Sequence, residues 1–129
     1  MGYRSDVMAV FYTYDPTEYP AMKLFIDENV PEFFRSDEYV RVFGGRDNSN
    51  VNKLHGIKFT MNGMKWYPSY PEVKGFEDAI DKFEKLIEGG NKWCWEFVRL
   101  GEEVEDVEER SCAEAESLLY VVRSIECDY

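Results

Sequence analysis

The sequence predicts an α+β domain in which a mostly antiparallel sheet carries two helices packed on one face. Three observations predict it. An almost unbroken apolar run, "DVMAVFYTY", lies close to the N-terminus. An amphipathic stretch, "PEVKGFEDAIDKFEKLIEGG", occupies residues 71–90. The segments follow one another as strand, helix, strand, hairpin, helix, strand, strand.

Within Tyr3 to Tyr12 every position from Val7 onward is apolar or aromatic, so this strand is expected at the centre of the sheet, covered on both faces or nearly so. "DPTEYPAMKLFIDENVPEFF" offers Asp15 or Thr17 as an N-cap and Pro20 in the first turn. Met22, Phe25, Ile26 and Val30 follow at helical spacing, and Pro31 is expected to stop or kink the helix. Tyr39, Val40, Val42 and Phe43 precede the Gly44-Gly45 pair and read as a second strand. Ile57, Phe59 and Met61 alternate up to Asn62-Gly63, with Met64 and Trp66 beyond. Both residues of an Asn-Gly pair tolerate positive φ, so a two-residue hairpin is expected here, with "PSYP" as an ordered bend after it.

In the amphipathic stretch Val73, Phe76, Ala79, Ile80, Phe83, Leu86 and Ile87 fall on one stripe, and Gly89-Gly90 ends the helix. "NKWCWEFVRL" alternates as a strand, with "SLLYVVRSIEC" as its expected partner. This order is consistent with the architecture of ferredoxin-like folds. The 129 residues are expected to form a single α+β domain, residues 1–129, because a chain of that length buries roughly two-thirds of the surface its unfolded form exposes.

The net charge of −11 is unevenly placed. Residues 101–116 hold eight acids against Arg110 alone, a balance of −7, and the remaining 113 residues carry −4. A field of this sign repels nucleic-acid phosphates and anionic lipid surfaces and attracts basic ones. Direct nucleic-acid binding and membrane association are therefore not expected, and a basic protein partner is. Cys94, Cys112 and Cys127 form an odd set without CxxC spacing, which predicts reduced thiols and a cytoplasmic protein. No signal peptide or bilayer-length apolar run is read from the sequence.

No catalytic signature appears. His55 is the single histidine and has no nucleophile pattern near it. P-loop, HExxH, GxSxG and dinucleotide fingerprints are missing, and Gly44-Gly45 and Gly89-Gly90 read as turns. Neither "GEEVEDVEER" nor "GGRDNSNVNK" fits a calcium loop, although neighbouring carboxylates are compatible with a weakly held Mg²⁺ and a small metal-assisted enzyme. The expectation is a non-enzymatic protein with no cofactor, no catalytic residue and no dedicated metal site. The aromatics Trp66, Tyr67, Tyr70, Trp93, Trp95 and Phe97 read as core, with Trp66, Tyr67 and Tyr70 as a candidate protein-binding patch.

The candidate partner-binding residues are the acids of "GEEVEDVEER": Glu102, Glu103, Glu105, Asp106, Glu108 and Glu109. The segment lies between two strands at a sheet edge. As a short helix it would turn Val104 and Val107 inward and its acids outward; extended, it would project a carboxylate at every second residue. Helical carboxylates a turn apart stand roughly 5–6 Å from one another, and alternate strand positions roughly 6–7 Å, the scale of successive phosphates. A groove lined with Lys and Arg accepts either arrangement. Acids around the first helix, Asp27, Glu28 and Glu32 among them, are expected to form a second negative ribbon. The competing reading is a solvated connection that blunts a sheet edge.

"GYRSDV" running into a hydrophobic strand, together with "FVRLGEEVEDVEE" late in the chain, resembles small acidic proteins encoded by bacteriophages and prophages. The resemblance implies no catalytic residues. It implies a product acting in the host cytoplasm, often by blocking restriction or CRISPR complexes that grip nucleic acid through basic grooves. A phage regulatory or accessory module that binds through the aromatic patch is the alternative.

Overall fold

The structure, a computed structural model, describes residues 2–44, 54–121 and 125–127. Its centre is a five-stranded antiparallel sheet built from β1 (Ser5–Thr13), β2 (Val40–Gly44), β3 (His55–Met64), β4 (Trp93–Leu100) and β5 (Val107–Ser111), in the order β2-β3-β1-β4-β5. The helices α1 (Tyr19–Asn29) and α2 (Pro71–Glu88) connect β1 to β2 and β3 to β4. The first four strands and two helices thus follow the split βαβ arrangement of ferredoxin-like folds, and β5 extends the sheet beyond β4. A separate hairpin, β6 (Leu119–Val121) with β7 (Ile125–Cys127), packs on β1 and β4.

The central strand reads as expected, since Val7, Ala9, Val10, Phe11 and Tyr12 are all buried. On the helix side Phe11 packs between Phe59 and Phe83, with ring centroids at 5.8 and 5.0 Å. Phe76 of α2 meets Phe34, Phe59 and Trp66 edge-on. These offset and edge contacts are the favoured geometry of aromatic cores. On the opposite face Tyr12, Cys94, Glu96 and Val98 are covered by the chain that follows β5, with Cys112, Leu118 and Leu119 buried.

Helix α1 begins at Tyr19 with proline in its first turn, and no side chain caps it. Asp15 instead accepts from the N–H and hydroxyl of Thr17 at 2.9 and 2.6 Å, closing the loop ahead of the helix. Neither Asp15 nor Thr17 is the cap. Helix α2 buries Val73, Phe76, Ala79, Ile80 and Phe83, the core of the expected stripe, and ends at Gly89.

Three further expectations are corrected. Asn62-Gly63 makes no hairpin. β3 continues through it, and the register passes from Val7↔Met61 to Ser5↔Met64, so β3 carries one extra residue as a bulge. Gly63 has φ +62° and donates its N–H to Asp6 at 2.7 Å. An Asn-Gly pair signals tolerance of positive φ, and a bulge uses that tolerance as well as a turn does. Secondly, the partner of β4 is β5, not "SLLYVVRSIEC", most of which is split between β6 and β7. An edge strand such as "VEERS" needs no apolar alternation when cross-strand charges hold it. Thirdly, Cys94 and Cys112 form a disulfide with Cα atoms 5.8 Å apart, where reduced thiols were expected. Sequence spacing carries no information about which cysteines a sheet register brings together. The Gly45 half of the Gly44-Gly45 turn and most of "GGRDNSNVNK" lie outside the described residues.

Candidate acidic interface

Between β4 and β5 the chain makes a tight turn, neither a helix nor a regular strand. Gly101 donates to the Asp106 carbonyl at 2.7 Å, Asp106 to Glu103 at 3.0 Å and Val107 to Glu105 at 3.0 Å. Arg99, the last inward-facing residue of β4, locks the turn by a bidentate grip on Asp106, with Nη2 2.8 Å from Oδ1 and Nη1 3.1 Å from Oδ2. Its Nε reaches Glu108 across the strands at 3.2 Å, and Nη1 also meets the Ser5 hydroxyl at 3.2 Å.

The N-terminal segment closes the arrangement. The Tyr3 hydroxyl donates to Asp106 at 2.7 Å and accepts from the Glu103 N–H at 3.2 Å. Its own N–H donates to the Tyr67 hydroxyl at 2.6 Å, and the Arg4 N–H donates to Glu102. The segments "GYRSDV" and "FVRLGEEVEDVEE", far apart in the sequence, are thereby joined in one polar cluster. Gly101 leaves room for it, because a Cβ there would strike the Asp106 carboxylate and the Tyr3 hydroxyl and displace them.

The electrostatics follow from this geometry. Hydrogen bonds from Arg99 first, then from Tyr3, hold the Asp106 carboxyl at about 2, well below its ordinary value. The same carboxylate holds the Arg99 guanidinium above its ordinary range. The Glu103 N–H draws the Tyr3 phenol downward, but the bond to Asp106 and partial burial outweigh it and leave the phenol raised.

Of the six turn and strand acids, then, not all are displayed. Asp106 and Glu108 are committed to Arg99, and Glu108 also lies 3.0 Å from Arg110. Arg110 in turn pairs with Glu77 of α2 and lies over the Phe97 ring at 4.7 Å. Glu102 faces solvent while receiving the Arg4 N–H. Glu103, Glu105 and Glu109 are exposed and join no ion pair among the described residues, and Val104, at the tip, is 94% exposed.

The expected second ribbon does not join this surface. Asp27 pairs with Lys23 at 3.0 Å, one turn away on α1, and Glu28 and Glu32 are exposed. Helix α1 packs on β1, β3 and α2, on the half of the sheet away from β5, so its acids form a separate patch.

The aromatic patch changes membership. Trp66 is only 7% exposed and packs on Phe34, Phe76 and Phe97, so it belongs to the core with Trp93, Trp95 and Phe97. Tyr67 and Tyr70 are half-buried, with ring centroids 5.1 Å apart. Tyr70 lines a cleft of about 300 Å³ with Phe33 and Tyr39. Phe33, 53% exposed, is the aromatic that sequence reading missed; its only signal was the doublet "FF", one ring in and one out.

Glu96 was also missed. Glu96 is 3% exposed and pairs with no cation among the described residues; its carboxylate accepts from the Tyr12 hydroxyl at 2.6 Å and from the N–H groups of Leu118 and Leu119 at 3.0 and 2.9 Å. Burial, with this bond to Glu96, pushes the Tyr12 phenol well above its ordinary value. Glu96 is the peg on which the C-terminal chain hangs. His55 begins β3 beside the Tyr19 ring at 6.3 Å. Among the described residues no group of three or more His, Cys, Asp or Glu side chains is placed to hold a metal ion, and no helix is long and apolar enough to cross a membrane. No protein-family model, no curated protein and no solved structure matches the chain.

Proposed function

We propose that the protein is a non-enzymatic binding protein of phage type. It occupies a basic surface on a host protein or ribonucleoprotein that grips nucleic acid, and its specific form is an anti-CRISPR or anti-restriction inhibitor. It binds neither nucleic acid nor membrane directly, needs no cofactor, and acts in the host cytoplasm. The observation that carries the reading is the pinned turn: Arg99, Asp106 and Tyr3 hold its backbone while Glu103 and Glu105 face solvent. Carboxylates on an ordered backbone lose less freedom on meeting a basic groove than the same acids on a loose loop.

The test is capture of partners from bacterial lysate on the tagged protein at low salt. A nucleic-acid-binding complex, released by moderate salt and competed off by DNA or RNA, is expected. Capture of a salt-resistant partner, or of nothing, counts against the reading. The cleft of Phe33, Tyr39 and Tyr70 favours a second reading, an accessory module that binds an apolar side chain of another protein. Such binding would be insensitive to salt and lost with Phe33→Ala.

A further inference from the structure

The register of β5 determines which of its backbone groups are used. Gly101 donates to Asp106 and Cys112 donates to Trp95 at 3.0 Å, so hydrogen-bonded pairs recur at every second residue, through Arg99–Glu108 and Phe97–Arg110. The N–H and C=O of Glu108 and Arg110 therefore point at β4, and those of Val107, Glu109 and Ser111 point out of the sheet. The Val107 N–H is taken by Glu105. The outward groups of Glu109 and Ser111 meet no strand among the described residues, since β5 is the last strand of the sheet. The side chains of Val107, Glu109 and Ser111 are all exposed.

An open edge of this kind is a template for another strand. Charge decides which. A second copy of β5 paired antiparallel about Glu109 would set that carboxylate against its own twin, an unfavourable cross-strand pair. A strand with Lys or Arg at alternate positions would instead set a cation opposite Glu109 and run on toward the acids of the adjoining turn. We infer that the outer edge of β5 accepts an extended basic segment of the partner by strand addition, with Glu109 and Ser111 supplying backbone hydrogen bonds and Glu109 the charge. The inference rests on the acidic-face reading above and adds the mode of engagement to it.

The probe is a blocked peptide of alternating lysine and valine, the length of β5, titrated at low salt against the full chain and compared with the same peptide N-methylated along its backbone. Both carry the same charge, but only the first can pair. Expected are slower amide exchange at Glu109 and Ser111 and binding about tenfold tighter for the unmethylated peptide, the order of effect of losing one or two hydrogen bonds. Glu109→Pro, which removes an outward N–H and leaves the β4 ladder intact, should weaken binding to a similar degree. Equal binding of the two peptides, with both lost on joint Glu103→Lys and Glu105→Lys substitution, would overturn strand addition and leave the acidic-face reading standing. Failure of both peptides to bind would overturn both.

Discussion

The carboxylates of two neighbouring regions do opposite work. On the underside of the sheet Glu96 is buried, and three donors from Tyr12, Leu118 and Leu119 fix the C-terminal chain to it. At the β4–β5 turn Glu103 and Glu105 stand in solvent on a backbone that other residues hold. Asp106 and Glu108 lie between these extremes, consumed by Arg99. Acid density in a sequence therefore measures the supply of charge, and hydrogen-bond geometry decides how much of it a partner meets.

The contrast breaks most sharply at Glu96. Glu96→Ala leaves a buried hydroxyl and two buried N–H groups without an acceptor and should cost about 3–5 kcal/mol, measured by urea denaturation, with the C-terminal segment exchanging its amides fastest. An unchanged midpoint would mean that the peg carries nothing. Next in size is the disulfide that ties the same chain to β4, closing a sequence separation of 18 residues. Joint Cys94→Ser and Cys112→Ser should cost about 3 kcal/mol in oxidising buffer, as loop-closure entropy suggests for a loop of that size. The difference should vanish under reductant, which is the state expected in a cytoplasm.

Arg99→Ala strips the turn of its anchor. It should lower the melting temperature by several degrees and raise the Asp106 carboxyl toward its ordinary range, with the Tyr3 bond still holding it part of the way down, a change that carboxyl NMR titration follows directly. The related pH effect has a definite sign. The Asp106 carboxyl is depressed from 3.8 to about 2, so its contribution is complete above about pH 4 and is lost as pH falls through about 2. In Arg99→Ala that acid step should shrink, leaving only the part that the Tyr3 bond supplies. Smallest in stability are joint Glu103→Lys and Glu105→Lys substitutions, expected within about 0.5 kcal/mol of the parent.

How far the sequence disclosed this arrangement depends on the kind of signal. α2 and β1 were legible because a single periodicity, 3.6 or near-continuous burial, dominates each of them. The β4–β5 pairing was not, because "VEERS" is held by charges across the strands and by Arg110 lying over Phe97, and these leave no apolar alternation to read. The Asn62-Gly63 bulge was misread because the pair encodes a backbone angle that two structures share. The acidic segment was found, but Tyr3 and Arg99, which decide how its acids are used, lie far from it or across a strand. A buried Glu96 inside "WCWEFV" was visible only as an exception to an apolar run.

The most direct measurement of the central claim is affinity for the captured nucleic-acid-binding complex as a function of salt, with three proteins: the parent, the Glu103→Lys/Glu105→Lys variant, and a matched Glu28→Lys/Glu32→Lys variant of the first-helix patch. Affinity should fall steeply with salt in the parent, drop about tenfold or more at low salt in the turn variant, and change little in the helix variant. Equal losses in both variants would reduce the effect to net charge, and an unaffected turn variant would return the turn to a solvated connection.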